Sequence, residues 1–198
     1  MKSPKVAKPV RAGKSDARSH EVRLIGGTLK RSKLPVADRP GLRPTPDRVR
    51  ETLFNWLGQD LAGWRVLDAF AGSGALGFEA ASRGAADVLL LENDGLLVAS
   101  LQASTLRLKT TTVRVQRADA LAWMARATPA AWELVLLDPP FTAGLLGTAL
   151  QAAARLVVPG GYVYAESGEA LSGPPEGFVM HRSQRAGAVH AQLLMKAA

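Results

Sequence analysis

Two short stretches of the 198-residue chain hold residues that can do chemistry. The first is Asp138, Pro139, Pro140 and Phe141, after an apolar run Leu134–Leu137. Two prolines hold the backbone in an extended turn and expose the Pro139 carbonyl. A carboxylate and a carbonyl side by side can accept both N–H bonds of a planar exocyclic amine. That grip orients the nitrogen lone pair toward an electrophilic carbon and stabilises the positive charge that develops on nitrogen. Phe141 offers a ring on which a base can stack, worth about 1–3 kcal/mol in single-stranded nucleic-acid sites. The plain alternative is a stiff turn that only ends a strand.

The second stretch is Ala69-Phe70-Ala71-Gly72-Ser73-Gly74, with Gly77 three residues on. Gly72, Gly74 and Gly77 have the spacing of the dinucleotide-binding fingerprint. Glu92 follows Gly72 by 20 residues and suits the hydroxyls of a ribose. These features fit any adenosine ligand. Asp68, just before the loop, favours a cationic amino-acid portion and repels a pyrophosphate, so S-adenosylmethionine is expected rather than NAD. Cofactor contacts are expected from Asp68, Gly72, Gly74 and Glu92. Asp119 is placed either to accept from an adenine amino group or to cap a helix.

The elements that must position these residues follow a repeating pattern. From Trp64, apolar strands alternate with helices: WRVLDAF, ALGFEAASR, DVLLLE, GLLVASLQASTLRL, VRVQRA, ADALAWMARA, ELVLLD, TAGLLGTALQAAARLV and GGYVYAES. Such alternation implies an α/β fold, a mostly parallel Rossmann-like sheet covered by helices on both faces. The last segment, FVMHRSQRAGAVHAQLLMK, reads as an antiparallel hairpin about Arg185 to Gly187. Ahead of the sheet, residues 21–60 predict a small extension. Its hairpin has a tight turn at Gly26-Gly27. A helix follows, with Thr45 as cap, Pro46 at the first position and Asp47 at the positive end of the dipole. Val49, Leu53, Phe54 and Leu57 line one face of that helix, with Arg48 and Arg50 off it, and Gly58 can end it. Residues 1–20 read as a disordered basic tail. The expected division is thus 1–20, 21–60 and 61–198.

Charge is segregated. Residues 1–50 hold 14 Lys/Arg and 4 Asp/Glu, and the remainder holds 11 and 13. The excess of positive charge at one end points to a polyanion, most simply nucleic acid. Cysteine is absent, so disulfides, thiolate metal sites and a cysteine nucleophile are excluded. The three histidines, His20, His181 and His190, have no metal-ligand spacing, and no metal is expected. No apolar run reaches the roughly 18 residues of a membrane span, and no secretory signal is visible.

With these motifs in hand, the chain resembles the bacterial 16S ribosomal RNA guanine-N2 methyltransferases. The resemblance rests on RLIGGTLKRSKLPV, GLRPTPDRVRETLFNWL and LDAFAGSGALGFEAASRGA together with DPPF, and covers about residues 21–198. It implies a class I fold and S-adenosylmethionine as cofactor, with Phe70, Ala71 and Ser73 lining the cofactor site beside Asp68, Gly72, Gly74, Glu92 and Asp119. Asp138, Pro139, Pro140 and Phe141 would be the base-binding catalytic motif. Lys30, Arg31, Lys33, Arg43 and Arg48 would face RNA or help close the cofactor pocket. It also implies a cytoplasmic, monomeric enzyme whose substrate is 16S rRNA in the small subunit, with ribosomal proteins as part of it. By itself DPPF serves adenine N6, cytosine N4, guanine N2 and glutamine amide alike; only the resemblance selects guanine N2. The alternative within the enzyme class is an amino-methyltransferase acting on tRNA or on adenine N6 of DNA. Outside it stand a non-catalytic RNA-binding factor and an NAD oxidoreductase.

Overall fold

A computed structural model describes residues 20–37, 46–141 and 144–197. The tail 1–19, Thr45 with its expected cap, and Arg43 lie outside the described residues.

The parallel core forms where apolar, β-branched and leucine-rich runs can be buried on both faces. Its strands are β3 (Arg65–Asp68), β4 (Asp87–Glu92), β5 (Val113–Arg117), β6 (Trp132–Leu137) and β7 (Val157–Ser167). The C-terminal hairpin adds β8 (Phe178–Ala186) and β9 (Val189–Lys196) antiparallel to β7. The order across the sheet is β5-β4-β3-β6-β7-β9-β8. From β3 the chain winds outward one way through β4 and β5, and from β6 the other way through β7. The junction between β3 and β6 is therefore the switch point of the sheet, where a crevice opens beyond the carboxyl ends.

Helices α1 (Asp47–Trp56), α2 (Ala75–Ser82) and α3 (Gly95–Leu108) pack on one face, through Leu53, Phe54, Phe78 and Leu101. Helices α4 (Ala120–Arg126) and α5 (Leu146–Leu156) pack on the other, through Met124, Leu150, Ala153 and Leu156. Leu53 and Phe54 are fully buried, each worth about 1.5–3 kcal/mol of apolar transfer. Gly77 lets α2 lie close to the sheet, because a Cβ there would sit 2.2 Å from Leu90 Cδ2. Helix α5 begins later than the expected Thr142, since Gly144 has φ +62°, which no right-handed helix accommodates.

The hairpin of the extension is present as β1 (His20–Arg23) and β2 (Lys33–Val36), but its tight turn is not. Residues 24–32 instead form a longer loop docked on α2. The Glu79 carboxylate accepts the backbone N–H groups of Ile25 and Gly26, both at 2.8 Å. Ser82 accepts from Thr28 N through its carbonyl at 2.7 Å and from Leu29 N through Oγ at 2.9 Å. These bonds satisfy donors that a two-residue turn would have paired across the strands. Gly27, at φ +70°, lies so close that a Cβ would fall 1.7 Å from the Ser82 carbonyl oxygen. Arg50 also departs from expectation: it is fully buried. Its guanidinium donates to Arg23 O at 3.0 Å and Asp47 Oδ1 at 2.6 Å, and pairs with Glu79 at 3.6 Å. Pro46 is the N-cap of α1 rather than its first residue.

Candidate active site

The two motifs meet at the switch point. Asp68 of β3 pairs in register with Leu136 of β6, and Ala69 N donates to Leu136 O at 3.1 Å. The loop after β3 and the Asp138-Pro-Pro-Phe141 turn after β6 therefore leave adjacent strands and flank one crevice. Alternation along the strands puts four acids on one face of the sheet. Asp68 shares its face with Val66, Asp138 with Leu136, Glu92 with Leu90 and Glu166 with Tyr164, all members of the same buried cluster or continuations of it.

Asp68 is buried, and its Oδ2 accepts Gly77 N–H at 3.0 Å inside the first turn of α2. Burial pushes its carboxyl up from 3.8 to about 7. The Gly77 and Phe70 backbone N–H groups oppose that rise, while the nearby charges of Glu92 and Glu166 add to it. Glu92 is tied to the backbone at both oxygens. Oε2 accepts Gly72 N–H at 2.9 Å, and Oε1 accepts Asn93 N–H at 2.8 Å and Asp94 N–H at 2.9 Å. A carboxylate has about four acceptor sites, so these three bonds leave room for one ribose hydroxyl, with a second sharing an occupied oxygen. Asp119 caps α4, accepting Ala122 N–H at 2.8 Å through Oδ1. The cap is thus established. Ala71 N donates to Leu91 O at 2.9 Å and Gly74 N to Ala71 O at 2.7 Å, which folds the stretch from Phe70 through Ser73 into a tight loop.

The donor set fits S-adenosylmethionine. The loop's acidic neighbours Asp68 and Glu92 present acceptors to hydroxyls and cations, the wrong complement for a pyrophosphate. Beyond β6, Pro139 is buried, Pro140 exposed and Phe141 48% exposed, so the ring stands at the rim, available to a base.

Sequence reasoning missed two residues beside this turn. Leu137 pairs with Ala165, so Asp138 and Glu166 leave adjacent strands at the same level. Glu166 is buried, and Tyr164 Oη donates to its Oε1 at 2.8 Å. Burial, Glu166 and then Asp138 push the Tyr164 hydroxyl well above its ordinary value, so it stays a donor. An acid inside an otherwise apolar strand, YVYAES, was the available signal. Glu79, inside ALGFEAAS, gave the same signal for the anchor of the extension.

Lys30, Arg31 and Arg48 are exposed; Lys30 and Arg31 lie in the docked loop rather than on the second strand. Lys33, on β2, pairs with Glu21 at 2.7 Å. Arg43 lies outside the described residues. A groove of about 410 Å³ between Trp123 and Trp132 sits at the amino end of β6, away from the motifs. Among the described residues there is no cluster of side chains suited to a metal ion, and no helix long and apolar enough to cross a membrane.

The family model described as Conserved hypothetical protein 95 matches residues 22–195. The chain belongs to this family. Ribosomal RNA small subunit methyltransferase D of Escherichia coli K12 is 41% identical over 189 residues, covering 91% of this chain and 92% of that protein. A solved structure described as a putative methyltransferase from Escherichia coli superposes with a TM-score of 0.80 at 38% identity, covering 90% of this chain and 99% of that one. A Thermus thermophilus 16S rRNA N2 G1207 methyltransferase, solved with AdoMet and guanosine, shares the fold with a TM-score of 0.69 at 23% identity. That alignment covers 91% of this chain and 50% of the other. This member of the family is a methyltransferase on a class I Rossmann-like sheet.

Proposed function

We propose that the protein transfers a methyl group from S-adenosylmethionine to the exocyclic N2 amine of one guanine in 16S rRNA of the small ribosomal subunit. The observation that carries this reading is the adjacency of β3 and β6, which sets the glycine loop beside Asp138 and Pro139. The 41% identity to a small subunit rRNA methyltransferase supports the substrate.

Bound S-adenosylmethionine supplies a methyl group already activated by positive sulfur. Asp68 and Glu92 hold the donor's ammonium and ribose, and Asp119 its adenine. The Asp138 carboxylate and Pro139 carbonyl accept the two N–H bonds of the amine, which turns its lone pair toward the methyl carbon. Transfer would break the S–CH3 bond, make the N–C bond and release S-adenosylhomocysteine, and Asp138, already accepting from the amine, would take the proton that nitrogen loses. Pro140 stiffens the turn and Phe141 stacks on the base. Residues 21–60 serve as the RNA-facing extension, with Lys30, Arg31, Lys33, Arg43 and Arg48 against phosphates. The enzyme works in the cytoplasm as a monomer, on a subunit whose ribosomal proteins form part of the substrate surface.

Labelled-methyl transfer to small subunits lacking their guanine methylations tests this reading. Label should map to a single N2-methylguanine. Asp138→Ala should lose turnover by about 100-fold or more while still binding S-adenosylmethionine. Label on an adenine, or near-normal turnover by the variant, refutes the assignment.

A further inference from the structure

A base held at the Asp138 turn brings the flanking phosphates of its own strand to the same end of the sheet. Lys30 and Arg31 are not placed for those phosphates. Their loop is bonded to Ser82, the last residue of α2, and that helix runs about 12 Å away from the glycine loop. They suit phosphates farther along the RNA.

The C-terminal hairpin carries charge at the end where it is needed. Strand β7 ends beside the Asp138 turn, and β9 runs antiparallel to it, so the tip between β8 and β9 stands at that same end. Ser167 pairs with His190 and His190 with Arg185, which makes one row across three strands on one face. The row begins next to Gly168, where an added Cβ would sit 3.6 Å from Phe141 Cδ2, at the rim of the base site. With strands about 4.8 Å apart, Arg185 lies about 10 Å from Ser167. Arg185 is exposed, and its Nε donates to the Gly187 carbonyl at 3.1 Å, which ties the guanidinium to the tip. Among the described residues no carboxylate lies within ion-pair distance of it. Gly187 and Ala188 are exposed, and a Cβ at Gly187 would meet nothing within 4 Å, so the tip itself is open to close approach. Residues 178–198 hold 3 Lys/Arg and no Asp/Glu, whereas residues 51–177 hold 8 and 13. A basic hairpin on an acidic body gains no stability from ion pairs, and its field suits a polyanion at the mouth of the crevice.

We propose that the β8–β9 hairpin is a second RNA-binding element, in which Arg185 holds a phosphate flanking the target nucleotide. This rests on the rRNA guanine-N2 reading given above. Arg182 is the internal control. It is exposed too, but it pairs with Leu193, so it lies on the opposite face and farther from the tip.

Full-length enzyme and small subunits lacking their guanine methylations provide the test. Arg185→Gln should raise KM for the subunit by about 5-fold with kcat unchanged, because a phosphate contact is made equally in ground and transition states. It should make the dependence of log Kd on log salt shallower by about 1. S-adenosylmethionine affinity and the urea unfolding midpoint should stay at wild-type values. Arg185→Lys keeps the charge and should restore the salt slope. Arg182→Gln should leave the slope near wild type. A p-benzoylphenylalanine photo-crosslinker in place of Ala188 should attach to 16S rRNA beside the target guanine. An unchanged slope for Arg185→Gln overturns the proposal, as does an equal loss for Arg182→Gln, which would mean general charge rather than a placed contact. Crosslinks confined to ribosomal proteins also overturn it, in favour of a protein partner. Failure of the guanine-N2 reading would appear separately, as wild type placing no methyl on N2 of the unmodified subunit.

Discussion

Asp68→Asn isolates one buried charge and lets its cost be read directly. The folded protein holds the Asp68 carboxyl at about 7, against an ordinary value of 3.8. A carboxyl raised in the folded state stabilises the fold most below pH 4, where it is protonated with or without structure. That advantage is lost as pH rises from about 4 to about 7, and the loss is complete above. Each pH unit in this window is worth about 1.4 kcal/mol, so ionised Asp68 costs about 4 kcal/mol at pH 8. An asparagine carbonyl can still accept the Gly77 N–H, and it carries no charge. The variant should match wild type at pH 4, exceed it by about 2–3 kcal/mol at pH 6 and by about 4 kcal/mol at pH 8. Urea unfolding of both proteins at these three pH values, without ligand, measures the difference and cancels every other titrating group. The same variant should bind S-adenosylmethionine more weakly, and only wild type should gain affinity as pH rises to 7. A stability difference that does not change with pH refutes the reasoning, because it means that Asp68 does not titrate in this window.

Three further outcomes follow from the geometry. Gly27→Ala sets a Cβ 1.7 Å from the Ser82 carbonyl oxygen at a φ of +70°, and should destabilise by at least about 1–3 kcal/mol in denaturant unfolding. Phe141→Ala, at a half-exposed position, should leave unfolding free energy within about 0.5 kcal/mol of wild type while raising KM for the ribosomal subunit by about 5-fold or more. Neutralising Lys30, Arg31 and Arg48 together should make the dependence of log Kd on log salt shallower by about 2–3. An unchanged slope removes this surface from the RNA footprint.

The fold was legible because its signals are local. Strand β4 and helix α3 occupy the residues that the apolar pattern marked, and Gly95–Leu108 is bounded by an Asp94 cap with bonds to Leu96 and Leu97 N–H. The glycine loop and the Asp138 turn were legible for the same reason, each being one contiguous run. What the sequence concealed is tertiary. Arg50 sits three and four residues before Leu53 and Phe54, on the buried face. The sequence reading placed it off the apolar face, and its burial depends on partners that the helix pattern does not show, the Arg23 carbonyl 27 residues back and Glu79 29 residues on, beside Asp47 within the helix. The Gly26-Gly27 pair has hairpin chemistry, yet contacts with α2 stretch the turn into a loop. Asp119 was ambiguous between cap and ligand contact because both need the same carboxylate at the same strand end.

The bonds from Glu79 and Ser82 to the loop before β2 reach beyond packing. The amide hydrogens of Ile25, Gly26, Thr28 and Leu29 end on acceptors of α2, so they exchange with solvent only when that helix and the loop part company. Gly74, the end of the glycine loop, is the N-cap of helix α2. The basic loop and the glycine loop therefore belong to one cooperative unit, and whatever steadies one end reduces the ordering entropy that a ligand at the other must overcome.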